Sequence, residues 1–165
     1  AGHTNASLDE LRAGIDAGIR GFTHLYNAMS PLTGREPGAV GAALEDTESW
    51  CGIIVDGVHV HPASLRVALA AKPSGKVFLV TDAMPPVGAD DPSYELYGET
   101  ITVHEGVVRN AAGALAGSAL DMATAVRNTS SKVRLASASD RTATGCGRPR
   151  KLWRKSSMVS GRSGA

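Results

Sequence analysis

The chain holds several side chains suited to catalysis, placed where apolar runs give way to turns: His3, His24, His59, Asp82 and Arg35. Neutral imidazole is the commonest transition-metal ligand among side chains. His3 and His24 could share one ion if both stand at the ends of adjacent parallel strands, or be two unrelated loop histidines. Asp82 follows Val77-Phe78-Leu79-Val80-Thr81. A carboxylate there can take a proton from an activated water and return it to a leaving group, or simply cap the next turn. His59, in Asp56-Gly57-Val58-His59, could donate to a substrate carbonyl as charge develops on its oxygen, or be a surface histidine before a helix. Arg35 lies in Thr33-Gly34-Arg35-Glu36-Pro37-Gly38. Its fork suits a phosphate, although a solvated charge paired with Glu36 uses the same residues. The backbone amides of Leu115-Ala116-Gly117-Ser118 could meet an anion or sugar hydroxyls, with simple N-capping by Ser118 as the alternative. His61, beside a helix start, and His104, in a hairpin, read as ordinary.

The elements that must position these groups alternate. Ser7 and Glu10 form a capping box for a helix carrying Leu8, Leu11, Ile15 and Ile19, which Gly18 and Gly21 end. Residues 21–25 form a short strand, residues 26–37 a loop, and residues 38–48 an alanine-rich helix. Gly52-Ile53-Ile54-Val55 is a β-branched, buried strand. A helix opens at His61-Pro62 and runs through Ala71, with Pro62 near its first turn. Residues 77–80 form a second buried strand. Residues 101–103 and 107–109, split by Glu105-Gly106, read as a hairpin, and Ser118 to Arg127 as a helix. Continuous apolar strands alternating with amphipathic helices imply a parallel α/β sheet or barrel. In such folds chemistry sits at the carboxyl ends of the strands. His3, His24, Asp56 with His59, and Asp82 all fall there. Four such strand ends fit half of a (β/α)₈ barrel, and a closed barrel takes roughly 250 residues.

The 165 residues are 42% hydrophobic, 20% charged and 4% aromatic, with 19 glycines and 8 prolines. That composition excludes a disordered, collagen-like or disulfide-scaffold chain. No apolar run approaches the ~18 residues of a membrane span. Two cysteines without motif spacing point away from zinc fingers and towards a reducing, cytoplasmic compartment. The net charge of +1 hides an asymmetry. Residues 1–126 hold 7 Lys/Arg against 15 Asp/Glu, and residues 127–165 hold 10 against 1.

Gly2-His3-Thr4-Asn5-Ala6, Thr23-His24-Leu25-Tyr26-Asn27-Ala28-Met29, Gly34-Arg35-Glu36-Pro37-Gly38, Asp56-Gly57-Val58-His59, Thr81-Asp82-Ala83 and Leu115-Ala116-Gly117-Ser118 follow one another along the chain. Their order and wording resemble the N-acetylglucosamine-6-phosphate deacetylase family of the amidohydrolase superfamily, over residues 1 to about 128. The resemblance implies that His3 and His24 are ligands of one divalent metal, zinc or iron, and that Asp82 is the catalytic acid/base. It implies that His59 contacts the substrate and polarises its acetamide. Asn27 and Ala28 match the loop on the phosphate side of the sugar. Leu115, Ala116 and Gly117 match a substrate-contacting loop. Arg35 matches an arginine that reaches substrate phosphate across a homodimer interface. The expected reaction is hydrolysis of N-acetylglucosamine 6-phosphate to glucosamine 6-phosphate and acetate, with a related acetamido sugar as the alternative substrate.

The resemblance also sets expectations of extent. The family has a further metal ligand, a glutamate, in the first half of its barrel, which is not among these residues. Residues 1–128 are therefore expected to be the C-terminal half of the barrel, impaired or inactive alone. Residues 129–165 are expected to be a disordered basic tail. From about Thr142 its Arg, Gly, Ser, Trp and Cys mixture resembles translation in a shifted reading frame. Clusters such as Arg148-Pro149-Arg150-Lys151 offer a nucleic-acid-binding alternative. With Trp153 the one aromatic of that cluster and no binding fold beside it, the enzyme reading is preferred and nucleic acid is not an expected partner.

Overall fold

Helix α1 (Leu8–Asp16) begins at the predicted capping box: Ser7 Oγ accepts the Glu10 amide, and Glu10 accepts from the Ser7 backbone. It ends at Ala17, followed by Gly18 at φ 116°, a left-handed stop that glycine adopts without strain. Gly21 does not end the helix; it opens β1 (Gly21–Phe22). The chain continues through α2 (Gly38–Glu45), β2 (Trp50–Ile54), α3 (Pro62–Ala71), β3 (Val77–Val80), β4 (Ser93–Leu96), β5 (Glu99–His104), β6 (Val107–Arg109) and α4 (Met122–Lys132). The computed structural model describes residues 1–91, 93–96 and 98–132. The expectations for the tail beyond Lys132 lie outside the described residues.

β1, β2 and β3 form a parallel sheet in that order, with Phe22 opposite Cys51 and Ile54 opposite Val80. Two further segments extend it. The Ala1 amine donates to Gly21 O at 2.5 Å, and the Thr23 amide donates to Ala1 O at 2.9 Å. At the other edge, Ala83 and Ser118 form a parallel bridge. Five consecutive parallel segments thus lie side by side in chain order, each short and backed by helix.

One face of this sheet is sealed. Phe22, Leu25, Cys51, Ile53, Leu65 and Ala68 pack with the alanines of α2 into one buried cluster. Each buried aliphatic side chain contributes about 1.5–3 kcal/mol of transfer free energy. The other face is covered only where Leu120 and Ala125 meet Ile54 and Val80. Trp50 and Phe78, at 47% and 46% exposure, remain open on it, 6.5 Å apart between ring centroids.

The structure corrects several local expectations. The strand predicted over residues 21–25 stops at Phe22, because His24 leaves the extended region at φ 31°. The helix predicted to Glu48 ends at Glu45. There Lys72 Nζ, itself buried, donates to Ala43 O at 2.9 Å and to Asp46 O, taking the place of a further helical turn. The hairpin is β5 and β6, joined by β4, in an antiparallel sheet pairing Tyr94 with Ile101 and Val103 with Val108. Helix α4 starts at Met122, with Asp121 accepting the Thr124 amide at 2.8 Å, so Ser118 is not its cap. It also runs past Asn128, where the apolar periodicity ends. Thr129, Ser130 and Ser131 bond their hydroxyls back to Ala125, Val126 and Arg127 carbonyls.

Candidate functional site

The polar groups singled out above gather at the carboxyl edge of the parallel sheet. His3 ends the first segment, His24 follows β1, Asp56 and His59 follow β2, and Asp82 follows β3. The fold brings His3 and His24 together, with ring centroids 4.7 Å apart and planes 84° apart. The backbone that delivers them is strained. His3, His24, Ala28 and Asp82 hold φ values of 46°, 31°, 48° and 52°, a region sparsely used by residues other than glycine. Such strain persists only where surrounding structure over-determines it, and it clusters at functional sites. Here four of the six such residues are sequence-predicted site residues.

The donor set suits a metal. His24 is buried, and its Nδ1 lies 3.1 Å from Asn27 O. A carbonyl can only accept, so this contact selects the Nδ1–H tautomer and leaves Nε2 as a lone pair. Ligating histidines are commonly oriented in this way. Asn27 in turn donates its side-chain amide to His24 O and Leu25 O, each at 3.3 Å, which closes the loop on itself. The Thr4 amide donates to Ala28 O at 2.9 Å, tying the segment that carries His3 to the segment that carries His24. No cluster of three or more His, Cys, Asp and Glu with ligating geometry occurs among the described residues.

Asp82 is exposed and meets the Leu115–Gly117 loop through the backbone. The Ser118 amide donates to Asp82 O at 2.8 Å, the Met84 amide to Ser118 O at 3.0 Å, and Ser118 Oγ to Thr81 O at 2.5 Å. Gly117, at φ 85°, makes this approach possible, since a Cβ there would lie 2.3 Å from Met84 Cγ and 3.1 Å from Asp82 O. Gly117→Ala is therefore expected to cost about 1–3 kcal/mol, read as a lowered urea midpoint. An unchanged midpoint would show that the loop and Asp82 are not held together as described.

Asp56 and His59 form the tightest side-chain pair of the site. Oδ2 of Asp56 lies 2.6 Å from His59 Nδ1, with side chains 15% and 5% exposed. Oδ1 accepts the amides of Val58 at 2.8 Å and His59 at 2.9 Å. Burial raises the Asp56 pKa, but the bonds from the His59 ring and from the two amides outweigh it and hold the carboxyl at about 2, against 3.8 unperturbed. Because the folded value lies below the unfolded one, the stabilisation is complete above about pH 4. It is lost as pH falls through the acid range towards 2. With allowance for solvent screening, about 1–2 kcal/mol should disappear between about pH 5 and pH 2. Urea unfolding of the parent and of Asp56→Asn checks this, because other carboxylates cancel in the difference; equal acid sensitivity would contradict it.

Sequence reading treated His59 alone and missed Asp56 as its partner, although the i, i+3 spacing in a turn was the available signal. It also missed Tyr26, at φ 80°, whose hydroxyl donates to Ser64 O at 2.9 Å and whose phenol burial pushes its pKa up. Arg35 is exposed and makes no ion pair among the described residues. The expected partner is engaged elsewhere: Glu36 accepts the Leu8 amide at 2.8 Å and the Gly38 amide at 3.0 Å, which lowers its pKa and pins the loop to α1 and α2. His61 caps α3, its Nδ1 accepting the Ala63 amide.

This geometry can now be set beside known proteins. No family model matches the chain. A curated N-acetylgalactosamine-6-phosphate deacetylase of Shewanella sp. (strain ANA-3) is 49% identical over 135 residues, covering 81% of this chain and 34% of its own length. The N-acetylglucosamine-6-phosphate deacetylase of Bacillus subtilis (strain 168) is 43% identical over 121 residues, 73% of this chain and 31% of its own length. The crystal structure of the Pasteurella multocida N-acetylglucosamine-6-phosphate deacetylase superposes with a TM-score of 0.77 at 40% identity, covering 81% of this chain and 35% of that one. Over the residues matched, the chain is similar to amino-sugar-6-phosphate deacetylases in both sequence and fold. It spans about a third of the length of the curated relatives it matches. A structure of the N-acetyl-D-glucosamine-6-phosphate deacetylase from Mycobacterium smegmatis in complex with N-acetyl-D-glucosamine-6-phosphate matches with a TM-score of 0.74 at 42% identity, over 78% of this chain and 34% of that one. Among the described residues no helix is long and apolar enough to cross a membrane.

Proposed function

We propose that this site hydrolyses the acetamide of an N-acetylhexosamine 6-phosphate, releasing acetate and the free amino sugar phosphate. The observation that carries the reading is the juxtaposition of His3 and His24 on strained backbone, in the same row of strand ends as His59 and Asp82. His3 and His24 would hold one divalent ion, zinc or iron. When bound, that ion supplies Lewis acidity and lowers the pKa of water. Asp82 takes a proton from the attacking water as its oxygen bonds to the acetyl carbon. It then delivers that proton to the nitrogen as the C–N bond breaks. His59 donates to the acetyl oxygen, where charge develops. Asn27 and Ala28 hold the phosphate end, and Leu115, Ala116 and Gly117 the sugar, so that remote binding orients the reacting amide.

Five consecutive parallel segments support placing residues 1–128 as the C-terminal half of a (β/α)₈ barrel, with α4 carrying the chain on to Lys132. Arg35, exposed on a pinned loop, is placed to reach phosphate in a second subunit of a homodimer. The buried free thiol of Cys51 supports a cytoplasmic setting. Catalytic sites commonly use three protein ligands, so two histidines predict weak turnover by residues 1–165 alone.

A second reading concerns the sugar. The Shewanella relative and one from Escherichia coli O157:H7, at 49% and 46% identity, are named for N-acetylgalactosamine 6-phosphate, against 43% for the Bacillus subtilis relative named for the glucosamine epimer. Acetate release with added zinc or iron separates the cases. Both phosphosugars and unphosphorylated N-acetylglucosamine would be compared, with the chain alone and with the remainder of a relative added as a second polypeptide. Slow release alone and faster release after addition, on one phosphosugar above the other, is the expected pattern. Absence of release from both phosphosugars in both preparations overturns the deacetylase reading.

A further inference from the structure

The mechanism above gives Asp56 no part, yet its carboxylate binds the one imidazole assigned to the acetyl oxygen. The geometry points to Asp56 as the positioning residue for His59. It holds the ring in its Nδ1–H form and balances the charge of an imidazolium whose Nε2–H donates to the acetamide oxygen. This rests on the reading of His59 given under Proposed function.

An ionised carboxylate only accepts, and Asp56 Oδ2 lies 2.6 Å from His59 Nδ1, so Nδ1 carries a hydrogen. A neutral ring would then leave Nε2 with a lone pair, which cannot donate to a carbonyl. The role of His59 therefore requires both nitrogens to be protonated when the acetamide is bound, with the Asp56 carboxylate as the counter-charge. Position is set at the same time. Oδ1 of Asp56 accepts the Val58 and His59 amides, so one carboxylate fixes both the backbone and the ring of His59. The turn is anchored on either side by buried Val55 and Val60, and Asn128 from α4 donates to Val55 O at 2.8 Å. Nε2 makes no hydrogen bond among the described residues. The other titratable groups at this end of the sheet are His3 after the first segment, His24 after β1, Asp82 after β3, and His61, whose Nδ1 is occupied by the Ala63 amide.

The test is ¹⁵N NMR of labelled histidine in the 165-residue chain, parent against Asp56→Asn, which retains an acceptor for the two amides. The parent should show a protonated Nδ1. In the variant the carboxylate acceptor is gone, so the ring should lose its Nδ1–H preference and show the Nε2–H tautomer. If Asp56→Asn fails to fold, Asp56→Ser keeps a short acceptor and carries the same expectation. An unchanged ring tautomer in the folded variant overturns the proposal. In any preparation that releases acetate, the variant should also show kcat reduced more than KM; an unchanged kcat counts against the proposal. Failure of the parent to release acetate both alone and with the second polypeptide overturns the deacetylase reading instead, and the NMR comparison still decides the Asp56–His59 relation.

Discussion

Replacing Asp82 with asparagine is expected to lower kcat for acetate release by about 10²–10⁴-fold, the range supplied by a positioned general acid/base. The substitution keeps size and hydrogen-bonding shape but removes the ability to take and return a proton. It should leave the fold intact for a specific reason. Asp82 sits at φ 52°, and asparagine tolerates that left-handed region as well as aspartate does. Its tertiary anchor is also its backbone oxygen, which accepts the Ser118 amide, and not its carboxylate. KM should therefore change little, and thermal unfolding should match the parent. Steady-state acetate release, measured beside the parent in the same preparation, checks this. A variant within threefold of the parent's kcat would remove Asp82 from the chemistry and leave it a loop residue.

The second large effect is on stability and begins beneath the histidine. Leu25 is fully buried between His24 and Asn27, and its amide donates to Gly52 O at 2.8 Å, fastening the His24 loop to β2. Leu25→Ala is expected to cost about 2–5 kcal/mol, combining lost transfer free energy with the cavity left behind. For a domain of this size the thermal midpoint should fall by on the order of 10 °C. The same cavity frees His24, whose orientation depends on Asn27 O three residues further on, so on the proposed metal role added zinc should bind more weakly as stability falls. Leu115→Ala makes the comparison, since Leu115 is 39% exposed and should shift stability by no more than about 0.5 kcal/mol. Equal losses in the two variants would show that Leu25 is not part of the core that carries the site.

Both predictions depend on positions that were partly visible in the sequence. The Ser7–Glu10 box, the β-branched run of β2 and Pro62 at the start of α3 are local signals, and the structure follows each of them. Local signals failed where a distant group completed the element. Lys72 terminates α2 from the end of the next helix, α3. Asp121, and not Ser118, caps α4, because Ser118 is consumed by its bridge to the end of β3. Strand β4 has too short a pattern to stand out, and exists through its pairing with β5.

The amino-acid sequence by itself determined which residues could do chemistry, that each lies just beyond an apolar segment, and that helices separate those segments. These are consequences of side-chain type and short-range periodicity, which the chain carries wherever it goes. Only the tertiary structure decided that His3 and His24 meet, that Asp82 is joined to Gly117, and that Glu36 turns away from Arg35 to the amides of Leu8 and Gly38. Those relations join residues from 2 to 35 positions apart through parallel pairing and positive-φ turns. Pairing of that kind is stabilised by burial of the whole sheet face, a sum over many side chains that no single stretch of sequence contains.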